Sequence, residues 1–409
     1  MGKIEAIFGD SMPIGAFCAP QPETEYEGVK YPNKINEEQY QLLKDLGVNI
    51  VYGHAEQIGN AHEKEVFRAL DICQKIGMKY LVRDSIAFEY TELGFQGERA
   101  YSSLSDELKK DLDERLIRSA ERYIHHPACA GITFFDEPGT ASFEGIAAAR
   151  RAFSAHYPDK IFYVNLSPNN VSAAQLEFGA HYMHAATSTD PGLQVDRTND
   201  KRYEYYLNKY FEAGVPDLIS YDSYPFVTLG GVETVIHNTL WEIQQIVRTY
   251  ADRYDVPYWN FMQVGGKFDG WYREIDYSEM LLQIHLSLAY GAKGLELFPC
   301  VFPNDYLQLG NIDCGTIDAF GNPTRYYYWL KVILQQVKAC ERYLMKAAFK
   351  GKMLKGEYAG LLPGREELDR IAWNEVIYDG RLPQYNGETC EKYGALEEVD
   401  DVAGVCRML

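Results

Sequence analysis

The chain alternates between short apolar runs and longer stretches in which apolar residues recur every three or four positions. Short runs bounded by turn residues mark buried strands, and the longer period marks helices packed along one face. Strands are predicted at 14–19, 49–53, 80–83, 131–135, 161–164, 218–221, 258–262 and 294–298. Helices are predicted at 36–46, 64–76, 105–124, 142–156, 200–213, 231–253, 278–290 and 325–345. The phrases LKDLGVNIVYG, CQKIGMKYLVR and SLAYGAKGLELF share one grammar. A helix ends, a glycine takes the cap position, and a strand follows within a few residues.

Eight strands, each followed by a helix, predict an α/β chain folded as a (β/α)8 TIM barrel over residues 1–345. Residues 346–409 read as a short C-terminal extension with some strand content, which could belong to a truncated β-domain. A doubly wound open sheet is the alternative. It would carry a glycine-rich phosphate turn after the first strand, and GAFCAPQPETEYEG is not one. Longer segments at 89–103, 167–198 and 264–275 follow strands and are expected to wall one face as loops.

Charge and composition narrow the function. Asp and Glu total 59 against 40 Lys and Arg, a net charge of −19. Such a field repels phosphate backbones, so nucleic acid is excluded as a partner and a neutral or weakly polar ligand fits. The 32 tyrosines offer amphipathic contact surface suited to neutral polar ligands. The eight cysteines are scattered, without CxxC or metal spacing, and read as small buried residues of a reducing compartment. No apolar run is long enough to span a membrane. A cytoplasmic protein is expected, or an exported one whose signal peptide is absent from this sequence. A homo-oligomer is compatible with it.

In a TIM barrel the chemistry sits at the C-terminal ends of the strands. Those ends hold Cys18, His54, Arg83 with Asp84, Asp136 with Glu137, Asn165, Asp222 with Tyr224, Gln263, and Glu296. In GITFFDEPG an apolar strand runs into two acids before Pro138 and Gly139 turn the chain. Side chains alternate along a strand, so only one of the two acids should aim at the centre of the mouth. Glu137, next to an apolar run, is the candidate general acid, because desolvation raises a carboxyl pKa. Asp222 is a candidate base or substrate-orienting group, or a turn-forming residue. Glu296, set between Leu295 and Leu297, must be paired or hydrogen-bonded, as a mechanistic carboxylate or a buried anchor. Trp259 and Trp271 are candidate stacking surfaces for sugar rings, Trp271 the better one because it lies in the polar loop VGGKFDGWYRE. No Walker, dinucleotide, GxSxG or HExxH motif occurs, and neither a cofactor nor a metal is expected.

The phrases GITFFDEPG, LISYDSYPF, YWNFMQ and LLQIHLSLAYGAKGLELFP resemble the barrel of bacterial clan A glycoside hydrolases, β-galactosidase-like and endoglucanase-like enzymes among them. The resemblance runs from about Pro13 to Leu344. It implies hydrolysis of an oligosaccharide or polysaccharide without a cofactor. The clan's strand-four pattern is Asn-Glu-Pro with Glu as acid/base, which implies that role for Glu137. Asp136 stands where the clan has Asn. The clan's nucleophile is a Glu at the end of strand seven, and that position here is Gln263. Another acid must serve, and Glu296 is expected ahead of Asp222, with Glu274 further off. The alternative is a glycan-binding barrel that does not hydrolyse. His54, Arg83, Asp136, Asn165, Tyr224, Trp259, Gln263 and Trp271 are the expected substrate contacts.

Overall fold

The computed structural model describes residues 2–95, 101–180, 187–194, 201–236, 238–267 and 271–349. Eight parallel strands close into a barrel. They are β1 (Ile14–Ala16), β2 (Ile50–Tyr52), β3 (Lys79–Arg83), β4 (Cys129–Asp136), β5 (Ile161–Leu166), β6 (Ile219–Ser223), β7 (Tyr258–Gln263) and β8 (Gly294–Phe298). Each pairs with its neighbours in chain order, and β8 closes on β1 with Gly15 opposite Glu296. The eight barrel helices are α1 (Glu37–Leu46), α2 (Glu63–Ile76), α3 (Asp106–Ala120), α4 (Phe143–His156), α5 (Lys201–Ala213), α6 (Ile243–Tyr254), α7 (Tyr277–Ala289) and α8 (Arg325–Lys346).

Local chemistry sets the boundaries. The Asn36 side chain caps α1 by accepting from the Gln39 amide, and Gly47 ends the helix in a left-handed conformation. Gly77 ends α2 in the same way. Asp276 and Glu279 form a capping box at the start of α7. Apolar faces such as Tyr40, Leu43 and Leu46 of α1 are buried against the sheet.

Four expectations need correction. Residues 231–253 are not one helix: Phe226–Leu229 and Val232–Val235 form an antiparallel hairpin, and α6 begins only at Ile243. Gly230 and Gly231 have positive φ and make the tight turn. The expected loop at 89–103 contains the helical residues Ile86–Phe95 and a short 3-10 turn at Tyr101–Ser103. The helix expected at 105–124 ends at Ala120. A helix not anticipated at all, Gly2–Phe8, lies under the barrel, with Phe8 edge-on to Trp259 at 6.3 Å and Lys3 ion-paired to Asp217 at 2.9 Å. The strand content expected for the C-terminal extension falls in residues 350–409, outside the described residues.

The barrel interior is packed, not open. Tyr52, Leu81, Tyr163, Trp259 and Phe261 fill it. Glycines face the largest of these side chains: a Cβ on Gly15 would stand 2.4 Å from the Tyr52 ring, and one on Gly294 would stand 2.4 Å from the Trp259 indole. Large side chains opposite small ones are how a narrow barrel reaches interior density.

Candidate active site

The mouth of the barrel is built by the last residues of β2 to β6. A cavity there is lined by Phe17, Tyr52, Arg83, Asp136, Asn165 and Phe261, among others. Two backbone features aim the acids. A register shift in β4 between Thr133 and Phe135 brings Asp136 opposite Asn165, on the barrel's inner face. Glu137 then takes a left-handed conformation, with φ of 45°. For a residue with a Cβ this conformation is uncommon and costs energy, and such positions cluster at functional sites. It is held by the Glu137 amide donating to the Asn165 carbonyl (2.8 Å) and by the Ala180 amide donating to the Glu137 carbonyl (3.1 Å). Strand alternation is therefore broken, and both Asp136 and Glu137 face the mouth. The expectation that only one would do so is corrected.

Glu137 meets Asp222, not Glu296. The two carboxyl groups share a hydrogen bond. Two carboxyls can do so only with a proton between them. Desolvation, and then the negative charges of Asp222 and Asp136, push the Glu137 carboxyl well above the usual range. Burial and the Asp136 charge also push Asp222 upward, while hydrogen bonds from Asn165 and Tyr224 oppose that shift. The Asn165 amide donates to Asp222 Oδ1 (2.8 Å) and to Asp136 Oδ1 (3.0 Å), and the Tyr224 hydroxyl donates to Asp222 Oδ1 (3.0 Å). One amide thus ties the ends of β4, β5 and β6 together.

Glu296 lies one layer deeper and has no exposed surface. The Tyr52 and Tyr163 hydroxyls both donate to Oε1, the latter at 2.7 Å, and Ser220 Oγ donates to Oε2 at 2.7 Å. Burial lifts its pKa to about 7 against these hydrogen bonds. Ser220 Oγ also lies 2.9 Å from Asn165 Oδ1, so its one proton can be given either to Glu296 below or to Asn165 above.

The other candidates separate into two groups. His54 stands at the end of β2, its Nδ1 3.4 Å from Gln21 Nε2 and its Nε2 3.8 Å from the Asp305 carboxylate. Arg83 lines the cavity, and Trp271 is 45 % exposed beside the hairpin, with Thr228 donating to its carbonyl. Trp259 and Gln263 are not brought to the mouth. Trp259 is fully buried toward the bottom of the barrel. Gln263 is fully buried with its amide spent on backbone: Oε1 accepts from the Phe226 amide (3.2 Å), and Nε2 donates to the carbonyls of Phe226 (3.2 Å) and Arg273 (3.1 Å). It braces the hairpin that follows β6. Glu274 is ion-paired to Arg325 at 2.8 Å.

Sequence reasoning missed Tyr52, Tyr163 and Ser220. Each lies two positions before a residue already singled out, His54, Asn165 or Asp222. The strand period of two that put those residues at the mouth also puts these hydroxyls one layer below. Among the described residues no cluster of His, Cys, Asp and Glu is arranged to hold a metal ion. No helix of the described residues is long and apolar enough to cross a membrane.

No protein-family model and no curated protein matches the chain. Solved structures do match it in shape. One is described as a candidate α-L-fucosidase from Bacteroides thetaiotaomicron VPI-5482, 12 % identical over 79 % of this chain and 95 % of that one, with a TM-score of 0.50. Another is a family 39 glycoside hydrolase from the gut symbiont Bacteroides cellulosilyticus WH2, 11 % identical over 85 % of this chain and 67 % of that one, also with a TM-score of 0.50. At such identities the likeness is one of fold, and the fold of this chain is the (β/α)8 barrel that these glycoside hydrolases share.

Proposed function

We propose that the chain is an O-glycoside hydrolase in which Glu137 is the general acid and Asp222 the carboxylate that works with it. The feature that supports this reading is the grouping of Glu137, Asp222 and Asp136 at the barrel mouth, where burial and the neighbouring charges push the Glu137 and Asp222 carboxyls upward. A carboxyl that keeps its proton at neutral pH can deliver it to a glycosidic oxygen, and a neighbouring ionised carboxylate can attack the anomeric carbon or draw a proton from water. The pair is in contact, closer than the roughly 5–5.5 Å of a retaining pair. A glycosidic oxygen entering between them takes over the hydrogen bond from Glu137 and leaves Asp222 ionised. Asn165 and Tyr224 then stabilise the Asp222 charge, and Asp136 is free to bind a sugar hydroxyl. His54, Arg83 and the exposed face of Trp271 complete the sugar-binding surface.

Hydrolysis of a panel of oligosaccharides and aryl glycosides tests this. Glu137→Gln should lower turnover of unactivated glycans by about 10²-fold or more. Substrates with good leaving groups should be affected less, because they need little protonation. Azide should rescue Asp222→Ala and leave a glycosyl azide whose anomeric configuration reports retention or inversion. Near wild-type turnover by Glu137→Gln on an unactivated glycan would remove Glu137 from the role. A second reading, glycan binding without hydrolysis, is favoured by the amide at the end of β7. It predicts affinity without turnover, and any turnover abolished in Glu137→Gln eliminates it.

A further inference from the structure

We propose that Arg83 receives a sugar carboxylate, so that the site takes a glycan containing uronic acid residues. This deepens the reading above and rests on it. Arg83 ends β3 two positions after Leu81, whose side chain packs inside the barrel. The guanidinium therefore belongs one layer higher, at the mouth, where Arg83 lines the same cavity as Asp136 and Asn165. It is the only cationic side chain among the described residues lining that cavity. It is half-buried. Its one contact with another side chain among the described residues is the Phe88 ring, whose centroid lies 5.9 Å from Cζ.

The carboxylates around it each accept hydrogen bonds from other groups, with one Glu56 oxygen, Oε2, left over. Asp84, next in the chain, accepts from the Ile86 amide (3.1 Å), Ser119 Oγ (2.5 Å) and the Tyr123 hydroxyl (3.0 Å). Asp136 is held by Asn165, Asp222 by Asn165, Tyr224 and Glu137, and Glu56 by Tyr80. Among the described residues this acid-rich site gives its one guanidinium no hydrogen bond or ion pair, and Arg83 acts on Glu56 and Cys18 only through its charge. Five donors in a rigid fork, half withdrawn from water, are costly without an acceptor and match the two oxygens of a carboxylate. A neutral hydroxyl can satisfy only part of that fork. The net charge of −19 does not oppose this. Charges farther away than about 8 Å are largely screened at physiological salt. An acidic ligand thereby replaces the neutral one suggested by composition, with Arg83 on the β3 side and the acid pair toward β6.

The test is binding by full-length Glu137→Gln, which reports affinity whether or not the wild type hydrolyses. Oligosaccharides of galacturonate, glucuronate and mannuronate are each titrated calorimetrically against their carboxyl-reduced neutral forms. At least one uronide should bind tenfold or more tightly than its reduced form, and adding Arg83→Met should remove that difference. Arg83→Lys, which keeps the charge and loses the fork, should retain part of it. Arg83→Gln is measured alongside, so that one misfolded variant does not leave the question open. Equal affinity for acidic and reduced forms, or a preference that survives the loss of Arg83, would overturn the proposal while leaving a glycan site. Binding of neither form would overturn the glycan reading itself.

Discussion

Each acid in this barrel owes its state to its immediate neighbours. Asp136, Glu137 and Asp222 crowd one point, and the Asp136 charge raises the pKa of the other two. This has a sign that can be checked. To act as the proposed acid, Glu137 must hold its proton, and the Asp136 charge helps to keep it there. Asp136→Asn preserves an acceptor for Asn165 but removes the charge, so the alkaline limb of the kcat/KM profile should move to lower pH. A limb that stays in place would separate Asp136 from the acid's titration. Glu56 is a different case. It is fully buried, accepts from the Tyr80 hydroxyl, and its Oε2 has no partner. Burial raises its pKa to about 7. The folded protein then holds a proton that the unfolded chain releases near the ordinary carboxylate pKa of about 4.3. Stability is fully present below that value and is lost as pH rises through 7, by about 4 kcal/mol. Glu56→Gln cannot titrate, so its melting temperature should exceed that of the wild type at pH 8 and not at pH 4. Equal differences at both pH values would contradict the assignment.

At the scale of elements, the turn after β4 matters most. Gly139 lies against the backbone of the short helix Ala173–Phe178, and a Cβ there would stand 2.2 Å from the Glu177 carbonyl oxygen and 2.4 Å from the Phe178 amide. Backbone cannot rotate out of the way, so Gly139→Ala must push the two segments apart. The same segment supplies the Ala180 amide that holds the Glu137 carbonyl. The substitution should cost about 1–3 kcal/mol by overpacking. It should also cut turnover about tenfold or more, because small misplacements of reacting groups are expensive. Denaturant midpoints and kcat measured together would reveal a clash that leaves catalysis untouched. The hairpin after β6 was readable in the Gly230–Gly231 pair flanked by β-branched residues. Its apolar residues were instead read at helical spacing, a known ambiguity of short apolar runs. The left-handed turn at Glu137 had no such signal, since glutamate does not advertise a positive φ.

Across the whole molecule, the helix Gly2–Phe8 caps the barrel end opposite the mouth. Ile4 is buried, and Phe8 packs on Trp259 at the base of the interior column. Above that column come Tyr163 and Tyr52, then Glu296, then the acids. Removing residues 2–9 should lower stability by about 1.5–3 kcal/mol for each large apolar side chain lost. It should also shift Trp259 emission to the red as water reaches the indole. An unchanged spectrum would show that the interior is sealed without the helix.

The sequence alone determined the alternation of strands and helices, and with it the barrel. Periodicity, caps and glycine stops are local, and eight strand–helix units leave few other ways to bury their faces. The strand β8 was predicted with its observed limits, and the caps at Gly47 and Gly77 formed where expected. The sequence also named polar groups that line the mouth, Arg83, Asp136 and Asn165 among them, because position along a strand decides height in a barrel. The tertiary structure decided which of those groups touch. Glu137 and Asp222 are 85 positions apart, and Glu296, expected ahead of Asp222 as the partner, is instead held by the Tyr52, Tyr163 and Ser220 hydroxyls. A register shift of one residue in β4 and one left-handed backbone angle chose the pair, and neither has a signature in composition or period. Gln263 shows the same limit. Its strand end was legible, but whether its amide faced a sugar or the hairpin backbone depended on a neighbour that the linear pattern had assigned to a helix.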